Sequence, residues 1–104
     1  MSAGVHLETE ISLSTESQFF SNLSGEVTGV FVATYRPLPP GTNVELEFGI
    51  PGAVLRAVGR VGWVRESGFD SLPGVGIEFV TIEEEDRRRI EEFSATRVPL
   101  YHDD

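Results

Sequence analysis

A period of two runs through most of this chain, and it admits β-sheet and little else. Leu7, Ile11 and Leu13 fall on one side of an extended segment, with His6, Glu8, Glu10 and Ser12 on the other. Successive side chains of a strand point to opposite faces, so such a segment has one dry face and one wet face. The pattern returns as Val44, Leu46 and Phe48 against Asn43, Glu45 and Glu47, and as Val75, Ile77 and Phe79 against Gly76, Glu78 and Val80. Val27 to Tyr35 is β-rich on both faces. From Val54 to Arg65, Leu55, Ala57, Val61 and Trp63 share one side and Arg56 and Arg60 take the opposite one.

Turn chemistry separates these segments: Arg36-Pro37-Leu38-Pro39-Pro40-Gly41, then Gly49-Ile50-Pro51-Gly52, then the stretch from Ser67 to Gly74. Short strands joined by Gly/Pro turns predict an antiparallel β-barrel over about residues 5–80. Gly59 and Gly62, with no side chain to pack inside the long strand, mark bends or bulges that would let the sheet curl. One helix is expected over about 82–95, followed by a short tail, all within a single domain spanning 1–104. Thr81 as N-cap with Glu84 three positions on would form a capping box. Glu83, Glu84, Glu85 and Asp86 suit the positive end of the helix dipole. Glu83–Arg87, Glu84–Arg88 and Glu85–Arg89 are spaced for i, i+4 pairing. Ile82, Ile90 and Phe93 form the apolar stripe that would hold the helix against the barrel, and the tail from Arg97 to Asp104 is expected to fray unless Val98, Leu100 and Tyr101 dock.

The 104 residues carry 17 carboxylates against 8 basic side chains, a formal charge of −9. That acidity repels nucleic acids and anionic lipid surfaces. Hydrophobic residues make up 39% of the chain, seven of them phenylalanine, enough for one core. With no cysteine there is no disulfide, thiolate nucleophile or Cys-based zinc site. No export signal and no apolar run of the roughly 20 residues a membrane helix needs is present, so a cytoplasmic location is expected.

Catalytic residues are not apparent. His6 and His102 are the only histidines, at opposite ends, and neither has a motif-spaced partner. The run Glu83 to Asp86 points around a helix axis instead of converging on a metal, so no metal site is expected. Arg87-Arg88-Arg89 reads as a paired, solvated helix face. Phe19 and Phe20, in a polar segment, are candidate contacts for a protein partner; the competing reading packs them as a lid over one end of the barrel. Phe69, in a Gly/Ser/Pro-bounded loop, is the stronger contact candidate.

Asn22-Leu23-Ser24 with Gly29-Val30-Phe31-Val32, then Arg36 to Thr42, Val61-Gly62-Trp63-Val64 and Gly74-Val75-Gly76-Ile77-Glu78-Phe79, taken in this order, resemble a PilZ domain. The resemblance runs from about His6 to Phe93 and implies a six-stranded antiparallel barrel with a C-terminal α-helix. PilZ domains that act as cyclic di-GMP receptors hold the ligand with an Arg-x-x-x-Arg segment and an Asp/Asn-x-Ser-x-x-Gly motif. Here no arginine or lysine stands ahead of Arg36. Asn22 and Ser24 fit the second motif, but Gly29 comes two residues late and Gly25-Glu26 brings a carboxylate into it. Each lost guanidinium–phosphate contact is worth about 1.5–3 kcal/mol. Two such losses cost roughly 3–6 kcal/mol, or about a hundredfold to ten-thousandfold in affinity. Arg56 and Arg60 are expected to pair with outward glutamates across the sheet. Asn22, Ser24 and Gly29 thus read as a degenerate nucleotide-binding remnant. The resemblance implies a non-enzymatic regulatory adapter in bacterial motility or surface behaviour, with a protein partner and no cofactor. The alternative is a sensor that binds cyclic di-GMP through Asn22, Ser24 and unconventional arginines.

Overall fold

The computed structural model describes residues 5–12, 14–68, 71–95 and 100–101. In chain order the elements are β1 (Val5–Glu10), β2 (Gln18–Ser21), β3 (Val27–Ala33), β4 (Asn43–Ile50), β5 (Ala53–Arg65), β6 (Gly74–Ile82), α1 (Glu84–Ser94) and β7 (Leu100–Tyr101). They build one sheet in the order β1-β4-β5-β6-β3-β2-β7. The molecule is mostly β with one C-terminal helix, but the sheet is mixed and open where an antiparallel closed barrel was expected. Strands β4, β5, β6, β3 and β2 are antiparallel neighbours. β1 lies parallel to β4, and β7 parallel to β2. Among the described residues no pairing joins the two edges.

Alternation reads the same in either chain direction, so it could not reveal the parallel pairings. In the observed register Val5, Leu7 and Thr9 stand opposite Val44, Leu46 and Phe48. A reversed β1 would present the same wet and dry faces.

The core lies against the inner face of the sheet and includes Ile11, Phe19, Val30, Val32, Val44, Leu46, Phe48, Leu55, Val61, Val75, Ile77 and Ile90. β5 alternates between exposed and buried, with Leu55, Ala57 and Val61 in the core as expected, but Trp63 is carried to the opposite face by a shift in the ladder. Register shifts fall between Val58 and Gly59 and between Val61 and Trp63. Gly59 and Gly62 therefore do mark irregularities in the β5–β6 ladder, and the second shift leaves Gly62 as the extra residue. A further shift in the β2–β3 ladder skips Thr28. It changes the parity of β3 and puts Val27 in the core with Val30 and Val32.

A second apolar layer covers the outer face. The Phe31 and Trp63 rings stack with centroids 5.7 Å apart and planes 11° apart. Phe20 lies against Trp63 at 5.7 Å and 51°. This layer needs glycine beneath it: a Cβ on Gly29 would collide with the Phe20 ring and the Ile77 carbonyl, and one on Gly76 with the Trp63 indole. An aromatic ring laid over a cross-strand glycine fills the space that the missing side chain leaves.

Thr81 does not cap the helix. It pairs with Val58 in β6, the strand continues through Ile82, and the N-cap position falls to Glu83 without a side-chain cap bond. The ladder bonds outweigh the capping box. Glu84, Glu85 and Asp86 still occupy the first turn, where the dipole favours them. The expected apolar stripe docks the helix: Ile90 is fully buried, and Ile82 and Phe93 pack against the core. Leu100 and Tyr101 pair with Phe20 and Ser21 as β7, whereas Val98 lies outside the described residues.

Candidate functional site

The connection between β2 and β3 folds upon itself. The Asn22 side-chain oxygen accepts hydrogen bonds from the backbone N–H groups of Ser24 and Glu26, each at 3.0 Å. The Asn22 N–H donates to the Glu26 carbonyl at 2.9 Å, and the Gly25 N–H to the Asn22 carbonyl at 3.0 Å. Gly25 supplies the positive φ, +88°, that closes the turn. Asparagine is favoured here because its short carboxamide can replace a backbone acceptor.

Glu26 turns the outer side of this loop into an ion-paired contact. Its carboxylate accepts from Asn22 Nδ2 at 3.3 Å and lies 3.4 Å from Arg87 Nη1. The same Arg87 nitrogen donates to the Val27 carbonyl at 2.8 Å. Arg87 comes from α1, so helix and turn are tied together across the end of β3. Helical spacing had suggested Glu83 as its partner. Of the three expected i, i+4 pairs, Glu85–Arg89 is formed among the described residues, at 3.3 Å. The crossing of Arg87 to the turn had no local signal, because its acceptors lie about sixty residues away in sequence.

Asn22, Ser24 and Gly29 thus have separate structural duties. Asn22 and Ser24 are joined within the turn, while Gly29 lies in β3 beneath the Phe20 ring. Phe19 and Phe20, expected as candidate partner contacts or as a lid, are buried within the chain at 6% and 2% exposure. Adjacent strand positions send them to opposite faces, and both faces are covered. Phe19 meets Phe48 at 5.4 Å and Phe93 at 6.1 Å in the inner core, while Phe20 joins the outer layer. Phe69 lies outside the described residues.

Most arginines with described side-chain partners are held by the sheet. Arg56 pairs with Glu47 at 3.4 Å, as expected. Arg60 is directed instead to Asn43 Oδ1, at 3.5 Å. Arg65 donates to the Leu72 carbonyl at 2.9 Å, approaches Glu16 at 3.7 Å and lies over the Phe31 ring at 4.1 Å. Arg36 is exposed on the loop after β3.

The order of turn, tryptophan strand and Gly-Val-Gly strand is now seen in place, and the family model of the PilZ domain matches residues 4–96. The chain belongs to the PilZ domain family. No curated protein matches it. In this PilZ domain no described helix is long and apolar enough to cross a membrane. The Trp63 strand and the Gly74-Val75-Gly76 strand meet as neighbours, with Trp63 opposite Gly76, which explains why these residue types occur together.

Proposed function

We propose that this PilZ domain is a non-enzymatic regulatory adapter that acts through protein contacts in bacterial motility or surface behaviour, in the cytoplasm, without binding cyclic di-GMP. The observation that carries this reading is the turn at 22–26. Asn22 spends its carboxamide on the turn, Glu26 places a carboxylate beside it, and Arg87 is ion-paired with that carboxylate and hydrogen-bonded to the Val27 carbonyl. A phosphate approaching the turn meets an acid where a receptor needs cations, on a chain of charge −9. The engagement of Arg56 and Arg65 with Glu47, Glu16 and Leu72 supports the same reading.

With Phe19 and Phe20 buried, the contact falls to loop side chains such as Leu23 and Tyr35, which are 75% and 77% exposed. A partner with a basic surface suits the acidity, and its association would slow as salt rises. Calorimetric titration with cyclic di-GMP at low salt, beside an arginine-bearing PilZ domain as control, tests the proposal. No heat with the domain and normal binding by the control is the expected result. Saturable binding, with chemical-shift changes centred on Asn22 and Ser24, would restore the receptor reading.

A further inference from the structure

The parallel pairing of β1 with β4 assembles a cluster that no sequence motif announces. His6 and Glu8 lie on the same face of β1, two residues apart, and Glu8 stands directly opposite Glu47 of β4. The His6 Nε2 and Glu8 Oε2 atoms are 3.2 Å apart. One ligand atom from each of His6, Glu8 and Glu47 lies within 4.8 Å of the other two. We propose that these three side chains bind a divalent transition-metal ion, with zinc as the best match.

The chemistry of the donors selects the metal. An imidazole nitrogen with two carboxylate oxygens suits zinc, whereas calcium and magnesium prefer oxygen ligands alone. Tetrahedral zinc with bonds of about 2.0–2.2 Å needs ligand atoms roughly 3.3–3.6 Å apart. The His6–Glu8 pair already has nearly this spacing, and Glu47, with an oxygen within 4.8 Å of both, would close the remaining distance on binding the ion. The two strands fix the relative positions of the Cα atoms before any ion arrives.

A separate feature points the same way. Glu8 and Glu47 are like charges in directly opposed cross-strand positions, an arrangement that is destabilising by itself. Arg56 offsets part of it, with Nε 3.4 Å from Glu47 Oε1. A bound dication would offset both carboxylates. Beside the cluster is a hollow of about 320 Å³ lined by Glu8, Thr9, Glu10, Glu47, Gly49 and Val54. Three protein ligands would leave the remaining coordination position open to this hollow, for water or a small anion. Because β1 is an edge strand, the ion would also pin it to β4.

Titration of the full chain with zinc alone, followed by calorimetry and by thermal melting, tests the site. One saturable event per chain and a rise in the melting midpoint are expected. His6→Ala should weaken binding by about tenfold or more. His102→Ala should leave it unchanged. Arg56→Ala removes the group that competes for Glu47 and should tighten binding, an effect that a merely damaged fold would not produce. His6 and Glu8 are 54% and 69% exposed, so their substitution leaves the core intact. No saturable event, equal binding by His6→Ala, weaker binding by Arg56→Ala, or magnesium binding as tightly as zinc would each overturn the proposal.

Discussion

Replacing Phe20 by alanine tests whether the aromatic pair of β2 serves packing. The side chain is 2% exposed, lies 5.7 Å from the Trp63 ring and covers Gly29. Burial of a phenylalanine is worth about 1.5–3 kcal/mol, and the lost ring pair adds about 0.5–1.5 kcal/mol. The surroundings refill the gap poorly: Gly29 has no side chain to move into it, and Trp63 is stacked on Phe31. A loss of about 3–5 kcal/mol follows, in the range of buried Phe→Ala substitutions. Against a total of about 5–15 kcal/mol this is a large fraction. At about 4–8 °C per kcal/mol for a domain near this size, the midpoint should fall by roughly 12 °C or more. Urea unfolding followed by Trp63 fluorescence reads the change directly, since Trp63 is the only tryptophan and touches Phe20. Leu23→Ala, at a 75% exposed position, is the control and should stay within about 0.5 kcal/mol. A loss below about 1 kcal/mol in Phe20→Ala would refute the packing assignment and return Phe20 to the list of contact residues.

Gly76→Ala would drive a methyl group into the Trp63 indole and should cost about 1–3 kcal/mol, measured by thermal melting; an unchanged midpoint would show that the ring is not held over β6. Arg87→Ala removes the donor to Val27 and the partner of Glu26, with an expected loss of about 1–2 kcal/mol on denaturant unfolding. Amide exchange at Ser24 and Glu26 should stay protected in that variant, because their bonds to Asn22 are local. Faster exchange there would mean that the helix, and not the carboxamide, holds the turn.

Much of the fold was legible because its signals are local. The alternation in β4 and β5, the glycine shifts at Gly59 and Gly62, the acidic first turn of α1 and its apolar stripe of Ile82, Ile90 and Phe93 are all present as spaced residue types. The site was less legible. The turn formed by Asn22 and Ser24 is local, but the contacts that surround it depend on partners that are distant in the chain. Arg87 prefers the Val27 carbonyl to a glutamate one turn away, and Phe20 finds Trp63 across two intervening strands. Thr81 carried a valid capping signal that lost to the β6 ladder.

The sequence by itself determined the β-rich class, the family, the helix and the acidic character, because periodicity, turn chemistry and charge are properties of neighbouring residues. Tertiary structure decided the strand directions, the open edges, the burial of Phe19 and Phe20 and the meeting of His6, Glu8 and Glu47. Those features depend on which strands pair and in what sense, and a two-residue period is the same read forwards or backwards.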